Sequence, residues 1–283
     1  MLHAIIDIGS NTIRMAVYQI EGRAFTLLLK RKHTVGLAGY LDHGRLVREG
    51  IEKTVKILRG FMEFIETFGI AHVHAFATAA LRSATNSRAA VEEITRRTGV
   101  AVRIISGEEE AAYDFIGATQ NIEHADGVMM DIGGGSTEII HYVDHEMRGR
   151  WSLPLGSLAI AKAHVGGLLP TAEECSAIRA AAESVLDGVP EVRQLRTRHM
   201  VGMGGVLSSA SRMHGLLYPD ETPRLLRVSN LPAMAEMFGS GVSLSEERTA
   251  VLLRSAPDRL HTIIPGMVIA YTLAESFAAE DIL

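Results

Sequence analysis

The chain has 283 residues, 47% of them hydrophobic, enough for one large or two medium domains with sizeable cores. Its net charge of −5 argues against a general nucleic-acid coat, and its single cysteine, Cys175, excludes a disulfide framework and fits a reducing cytoplasm. The start runs straight into an apolar strand carrying Asp7, so a secretory leader is not expected. The most apolar late stretch, 263–274, is too short to span a membrane and reads as a buried helix with Pro265 in its first turn.

In chain order, residues 3–9, 12–20 and 24–34 read as three successive strands, with Glu21-Gly22 as a turn. A helix is predicted over 46–68, where Ile51, Val55, Leu58, Met62 and Ile65 recur at helical spacing. A strand over 71–78 precedes a helix capped by Asn86 and stopped by Gly99. A strand over 100–105 then leads to a helix over 107–118, for which Ser106 and Glu109 have capping-box spacing. The second half repeats this logic. Strands are predicted near 127–132, 136–143 and 146–153, and helices near 156–166 and 171–188, the latter opened by Thr171 and Glu174. A strand over 198–201 enters Gly202-Met203-Gly204-Gly205, and further helices, capped at Asn230 and Ser245, end the chain. Meanders followed by crossovers indicate an α/β fold in two halves, 1–120 and 121–283, with the last helix a candidate for packing back on the first half.

Two stretches are near-copies. Asp7-Ile8-Gly9-Ser10-Asn11-Thr12 recurs, position for position, as Asp131-Ile132-Gly133-Gly134-Gly135-Ser136, followed by Thr137 and Glu138. Each reads as a β-hairpin with an Asp at its mouth. Two such hairpins suggest similar halves facing each other across a cleft. Small-residue turns let backbone N–H groups converge on an anion, and Ser and Thr add hydroxyl donors. Gly9, Ser10, Asn11 and Thr12, and Gly133, Gly134, Gly135, Ser136 and Thr137, are therefore candidate phosphate ligands. Asp7 and Asp131 beside those anions call for a cation between carboxylate and phosphate, with Mg²⁺ the natural choice and Glu138 placed to complete the site. Gly204 and Gly205 open a helix after a strand, a third candidate anion loop. Glu110 exceeds what capping needs and is a candidate to orient a water for attack on phosphorus, whereas Glu108 and Glu109 suit the helix dipole. Arg82 has two open readings, a phosphate grip or a surface salt bridge. The twelve histidines show no metal-ligand spacing.

Together these motifs resemble the exopolyphosphatase / guanosine pentaphosphate phosphohydrolase (Ppx/GppA) family, within the wider actin, sugar-kinase and chaperone-ATPase (ASKHA, ribonuclease H-like) fold. DIGSNTIRM and DIGGGSTEI are similar to its two phosphate motifs, ATAALRSATN to its Arg segment and ISGEEEAAYDFIGA to its catalytic helix, with PLGS at 154–157, GMGG at 202–205 and IIPGMVI at 263–269 in the family's order. The resemblance implies two actin-like domains. It puts the catalytic base on Glu110, magnesium-associated carboxylates on Asp131 and Glu138 with Asp7 facing them, and the phosphate-contacting Arg on Arg82. The implied reaction is removal of the terminal phosphate of inorganic polyphosphate; the alternatives are the 5′ γ-phosphate of guanosine pentaphosphate and a non-catalytic sensor of either ligand. A cytoplasmic homodimer binding neither nucleic acid nor membrane is expected. Gly39 and Tyr40 replace an acidic residue and a glycine of the family pattern, and Val206 replaces a Thr of the third loop. Longer family members append a helical HD-type region, and none is expected after residue 283, which favours short chains or nucleotide substrates.

Overall fold

The computed structural model describes residues 1–118, 122, 124–240 and 244–283. The chain divides into two units, Met1–Ser106 and Gly107–Leu283. The expected junction between residues 120 and 121 lies outside the described residues, and the helix that opens at Gly107 belongs with the second unit.

The first unit begins with an antiparallel meander, β1 (Leu2–Ile8), β2 (Thr12–Glu21) and β3 (Ala24–Thr34). A small hairpin, β4 (Leu41–Asp42) and β5 (Arg45–Leu46), leads to α1 (Arg48–Thr67). Then come β6 (His72–Ala77), α2 (Ala79–Arg82), α3 (Ser87–Thr98) and β7 (Val102–Ile104). The sheet order is β3-β2-β1-β6-β7, with β6 parallel to β1 and β7 parallel to β6. The buried stripe of α1 runs through Ile51, Val55, Leu58, Phe61 and Ile65, so Phe61 takes the place expected of Met62. Asn86 stands at the start of α3 but does not cap it. Its amide accepts from Leu46 N at 2.9 Å and donates to Leu46 O at 3.0 Å, which ties β5 to α3. Gly99 ends α3 in the left-handed region at φ 74°, as its position predicts.

The second unit opens with α4 (Gly107–Ala118), followed by a second meander, β8 (Gly127–Ile132), β9 (Thr137–Val143) and β10 (Glu146–Leu153). After α5 (Ser157–His164), α6 (Ala172–Asp187) and α7 (Pro190–Arg193) come β11 (His199–Met203) and α8 (Gly204–Leu217). The chain finishes with β12 (Leu226–Arg227), α9 (Leu231–Met237), α10 (Glu246–Ser255), α11 (Leu260–Ser276) and β13 (Asp281–Ile282). The order β10-β9-β8-β11-β13-β12 repeats the first unit strand for strand and adds β12 as an antiparallel edge. The fold is thus α/β, one topology used twice.

Two helix starts follow their local chemistry. Thr171 and Glu174 form the expected reciprocal capping box on α6, and Ser245 accepts from Arg248 N on α10. Asn230 does not cap α9; its amide meets Glu221 and His214 instead. The buried late helix begins at Leu260, which places Pro265 inside α11 rather than in its first turn. It is apolar nearly all round because α5, α6, α8 and α9 all pack on it. A strand, not a helix, ends the chain, since β13 inserts between β11 and β12. Among the described residues no helix is long and apolar enough to cross a membrane.

Candidate active site

The two Asp hairpins turn in the same way. Gly9 N donates to Thr12 O at 3.0 Å, and Gly133 N donates to Ser136 O at 2.9 Å. Directly opposite Asp7 on the returning strand stands Arg14, and directly opposite Asp131 stands Glu138. The copies therefore share a backbone but differ in charge at the position that faces the aspartate.

In the first unit, Arg14 Nη2 lies 3.1 Å from Asp7 Oδ2. Burial pushes the Asp7 carboxyl above its ordinary value, and Arg14 offsets part of that. Asp7 thus has a built-in counter-ion. The turn is held by its carbonyls: Val35 N and Gly36 N donate to Asn11 O, and Ala38 N donates to Ser10 O. Its side chains are less satisfied. Ser10 is 4% exposed, and Ser10 Oγ and Asn11 Oδ1 are buried without a hydrogen-bond partner. Such orphans are rare in folded proteins and suit a ligand; the Asn11 amide, turned over, offers N–H to an anion. Arg82, at the end of α2, donates from Nη1 to Ile105 O at 3.2 Å and so secures the end of β7.

In the second unit, Glu138 is 2% exposed. Ser152 Oγ donates to Glu138 Oε1 at 2.7 Å from the neighbouring strand, where Ser152 and Glu138 are direct register partners. Burial, then the charge of Glu110, and last that of Asp131, push the Glu138 carboxyl up to about 8, against the pull of Ser152 and Ser136. Glu110 is therefore an electrostatic neighbour of the Asp131–Glu138 pair. It reaches that position because α4 packs on β9 and β10. Glu110 comes from the second unit and not, as expected, from the first half. Glu108 meets Arg150 at 3.5 Å, the ordinary surface role.

Two further carboxylates that raise the proton affinity of Glu138 give this place the donors a hard cation would need, because oxygen ligands and negative charge are what Mg²⁺ takes. Among the described residues no three His, Cys, Asp or Glu side chains already surround one metal position. A two-carboxylate seat completed by water and phosphate oxygens is the usual Mg²⁺ arrangement. The donor set fits in that form.

Glycines fix the surroundings. A Cβ on Gly156 would overlap the backbone of Gly134 and Gly135. The start of α5 thereby settles onto the second hairpin turn, with Ser157 N and Oγ donating to Gly133 O at 2.9 and 3.0 Å and Leu158 N to Gly134 O at 3.0 Å. Gly204 adopts φ +82°, and a Cβ there would strike the Asp131 carboxylate, so the third glycine loop touches the second Asp. The guanidinium of Arg259 lies against Gly205. Val206 packs into the space left by Gly266, which gives its methyl groups an apolar role in place of a hydroxyl. Sequence reasoning gave no role to Arg14, Ser152 or Arg259 and named Gly156 only within the PLGS motif. Arg14 and Ser152 carried a usable signal, their registers opposite Asp7 and Glu138.

The profile of the Ppx/GppA phosphatase family matches residues 16–283. The chain is 31% identical to a guanosine-5′-triphosphate,3′-diphosphate pyrophosphatase of Aeromonas hydrophila over 284 aligned positions, covering 99% of this chain and 56% of that protein. It spans about half the length of that relative. It is 25% identical to exopolyphosphatase 1 of Mycobacterium tuberculosis, covering 98% of this chain and 83% of that one. Among solved structures, the Ppx/GppA family member of Aquifex aeolicus is 26% identical with a TM-score of 0.74, covering 100% of this chain and 92% of that one. An exopolyphosphatase from Cytophaga hutchinsonii, 21% identical, superposes with a TM-score of 0.84 over 100% of this chain and 93% of that one. The repeated sheet is the fold these proteins share.

Proposed function

The chain belongs to the Ppx/GppA phosphatase family, and from that premise we propose that it is a phosphoanhydride hydrolase that removes the terminal phosphate of inorganic polyphosphate, with short chains preferred. The observation that carries the reading is the grouping of Glu110, Asp131 and Glu138 in one unit, with Glu138 held at an abnormally high proton affinity. Perturbed carboxyl groups of this kind mark sites that handle charge and protons.

The roles follow from position. Asp131 and Glu138 hold a divalent cation, Mg²⁺ by donor chemistry; when bound, it neutralises phosphate oxygens as a Lewis acid. Backbone N–H groups of Gly133, Gly134 and Gly135, with Ser136 and Thr137, hold phosphate in the second unit, supported by the Gly204-Gly205 loop. Gly9, Ser10, Asn11 and Thr12 present the equivalent turn in the first unit, where the orphaned Ser10 and Asn11 atoms are phosphate contacts. Arg82 is assigned a phosphate contact in addition to its bond to Ile105. Glu110 accepts a proton from water as the water oxygen bonds to phosphorus and the bridging P–O bond breaks. The electron pair leaves with the shortened chain.

An inorganic chain is favoured because the turn residues 9–12, 133–137 and 204–205 carry no aromatic ring on which a base could stack. Guanosine pentaphosphate is the second reading, supported by the 31% identical relative named for such a nucleotide. Phosphate release from short polyphosphate, long polyphosphate and guanosine pentaphosphate, with and without Mg²⁺, separates them. Mg²⁺-dependent release fastest from short polyphosphate is expected. Release from guanosine pentaphosphate alone would replace the first reading with the second, and release from none would reject both.

A further inference from the structure

We infer that residues 35–40 are a positioning strap for the first phosphate turn, and that Tyr40, through its fit against α1, sets the strap's place and hence the strength of that turn's grip on phosphate. The inference deepens the hydrolase reading and rests on it. Tyr40 is one of the two residues at which this stretch departs from the family pattern. The strap leaves β3 through Gly36, whose φ of 66° is left-handed and costs glycine nothing, and enters a single 3₁₀ turn, Leu37–Tyr40. Three of its amides reach the phosphate turn. Val35 N and Gly36 N donate to Asn11 O at 2.8 and 2.9 Å, and Ala38 N donates to Ser10 O at 2.9 Å. Carbonyl oxygens repel an anion and N–H groups hold it. In a planar trans peptide the two point in opposite directions. Drawing the Ser10 and Asn11 carbonyls to the strap therefore aims the N–H groups of Asn11 and Thr12 away from it, as an anion requires.

The second unit meets the same need with a different element. There the carbonyls of Gly133 and Gly134 accept from Ser157 N and Leu158 N at the start of α5. In each unit the donors come just after the third strand of the meander, β3 or β10. Gly134 stands at the position of Ser10 in the repeated motif, and both carbonyls are taken in this way. A close glycine contact seats each donor element. In the second unit it is Gly156 against the backbone of Gly134 and Gly135, and in the first it is Gly50 against Tyr40.

Tyr40 is where the strap meets α1. Gly50 is buried in the first turn of that helix, and a Cβ there would lie 2.8 Å from Tyr40 Cβ and 3.3 Å from Tyr40 Cγ, so the root of the ring sits directly on the helix backbone. Lys53, three residues further on, places its amine 4.7 Å from the ring centroid and donates to the Tyr40 hydroxyl. Tyr40 O accepts from Val47 N at 3.0 Å, at the helix start. Between these anchors Leu37 and Ala38 are buried. The strap is thus held at one end by Asn11 and at the other by α1, and it cannot shift without moving the Ser10 and Asn11 carbonyls.

The test compares variants of the full chain. Tyr40→Ala removes the ring and leaves Glu110, Asp131 and Glu138 of the other unit untouched. Its KM for tripolyphosphate should rise about tenfold, the scale of one lost charge-assisted hydrogen bond. Its kcat should stay within about twofold of the parent, the signature of lost uniform binding. Tyr40→Phe keeps the packing on Gly50 and loses only the bond to Lys53, so it should restore most of the parental KM. Gly50→Ala should raise KM as Tyr40→Ala does, although alanine is the better helix former, an effect that a merely structural role would not produce. Phe68→Ala, exposed just past the far end of α1, should leave KM unchanged. Amide exchange over residues 35–38, followed by mass spectrometry, needs no substrate. It should be about tenfold faster in Tyr40→Ala and Gly50→Ala and close to the parent in Tyr40→Phe. Circular dichroism verifies folding, and Tyr40→Leu serves where Tyr40→Ala does not fold. Unchanged exchange on loss of the ring, or faster exchange with KM unchanged, would overturn the inference. A parent that hydrolyses no phosphoanhydride would instead remove the hydrolase reading, with exchange still deciding whether Tyr40 anchors the strap.

Discussion

Glu138→Gln offers the most direct check on the carboxylate cluster. In the fold the Glu138 carboxyl titrates near 8, against 4.5 for the ordinary group. Between these values the unfolded chain has lost this proton while the native state keeps it. The native state therefore binds more protons, and metal-free stability falls as pH rises from about 4.5 to about 8, then levels. At about 1.4 kcal/mol per pH unit, the full penalty is on the order of 5 kcal/mol. Glutamine has no proton to lose, keeps an oxygen to accept from Ser152, and turns an N–H₂ toward the other carboxylates. The variant should match the parent below pH 5 and exceed it by several kcal/mol at pH 8 without cation. The sole tryptophan, Trp151, sits on β10 next to Ser152, so its fluorescence during denaturant unfolding reports on this unit. Mg²⁺ should restore much of the parent's stability at pH 8 and leave the variant unchanged. A difference that does not vary with pH, or a variant less stable than the parent at pH 8 in chelator, would refute both the burial argument and the cation seat.

Glu110→Gln should reduce phosphate release at least about a hundredfold, the usual worth of a positioned base, with polyphosphate binding retained in equilibrium dialysis; unaltered turnover removes Glu110 from its role. Gly156→Ala forces a methyl group into the backbone of Gly135, which cannot move aside, so a loss of about 1–3 kcal/mol and of turnover is expected from thermal unfolding and phosphate assays. Gly205→Ala meets only the flexible head of Arg259 and should be tolerated better; equal damage would mean the Arg259 position is fixed by function. Arg14→Gln removes the partner of Asp7. Below pH 3 Asp7 is protonated in both states, so stability should match the parent, whereas at pH 7 it should fall. Because Arg14 is 61% exposed, that fall is discounted to less than about 1 kcal/mol, measured by circular dichroism.

The backbone plan was largely legible because it is carried by periodicity. Strands β1, β2 and β10 alternate, β8 and β9 are continuous apolar runs, and α1 announces itself through a stripe that missed only the exchange of Met62 for Phe61. What escaped has a common cause, short range or long distance. β12 and β13 are two residues each, too short for any period, yet β13 lies within the second sheet. Asn86 and Asn230 have the chemistry of helix caps, but tertiary neighbours claim their amides, Leu46 for one and His214 with Glu221 for the other. In the site, the hairpin motifs exposed both aspartates and Glu138 at once. Gly156 was named only within the PLGS motif and Arg259 not at all, because their partners lie on other elements and no spacing rule links them.

The doubled hairpin also shows how one backbone device takes two electrostatic roles. The turn bond is the same in both copies, and the aspartate occupies the same strand end. The side chain opposite decides the rest. With Arg14, the first aspartate is paired within its own hairpin, and the turn's unsatisfied atoms are the neutral Ser10 Oγ, which can donate to an anion, and Asn11 Oδ1, whose amide can do so once turned over. With Glu138, the second hairpin accumulates negative charge in a buried setting and adds Glu110 from α4, an arrangement that demands either a proton or a cation. The single difference at this register position therefore leaves one aspartate ion-paired and sets the other beside a second carboxyl group, which is why the Glu138 variant, and not a change at Asp7, is the sharper probe of the carboxylate cluster.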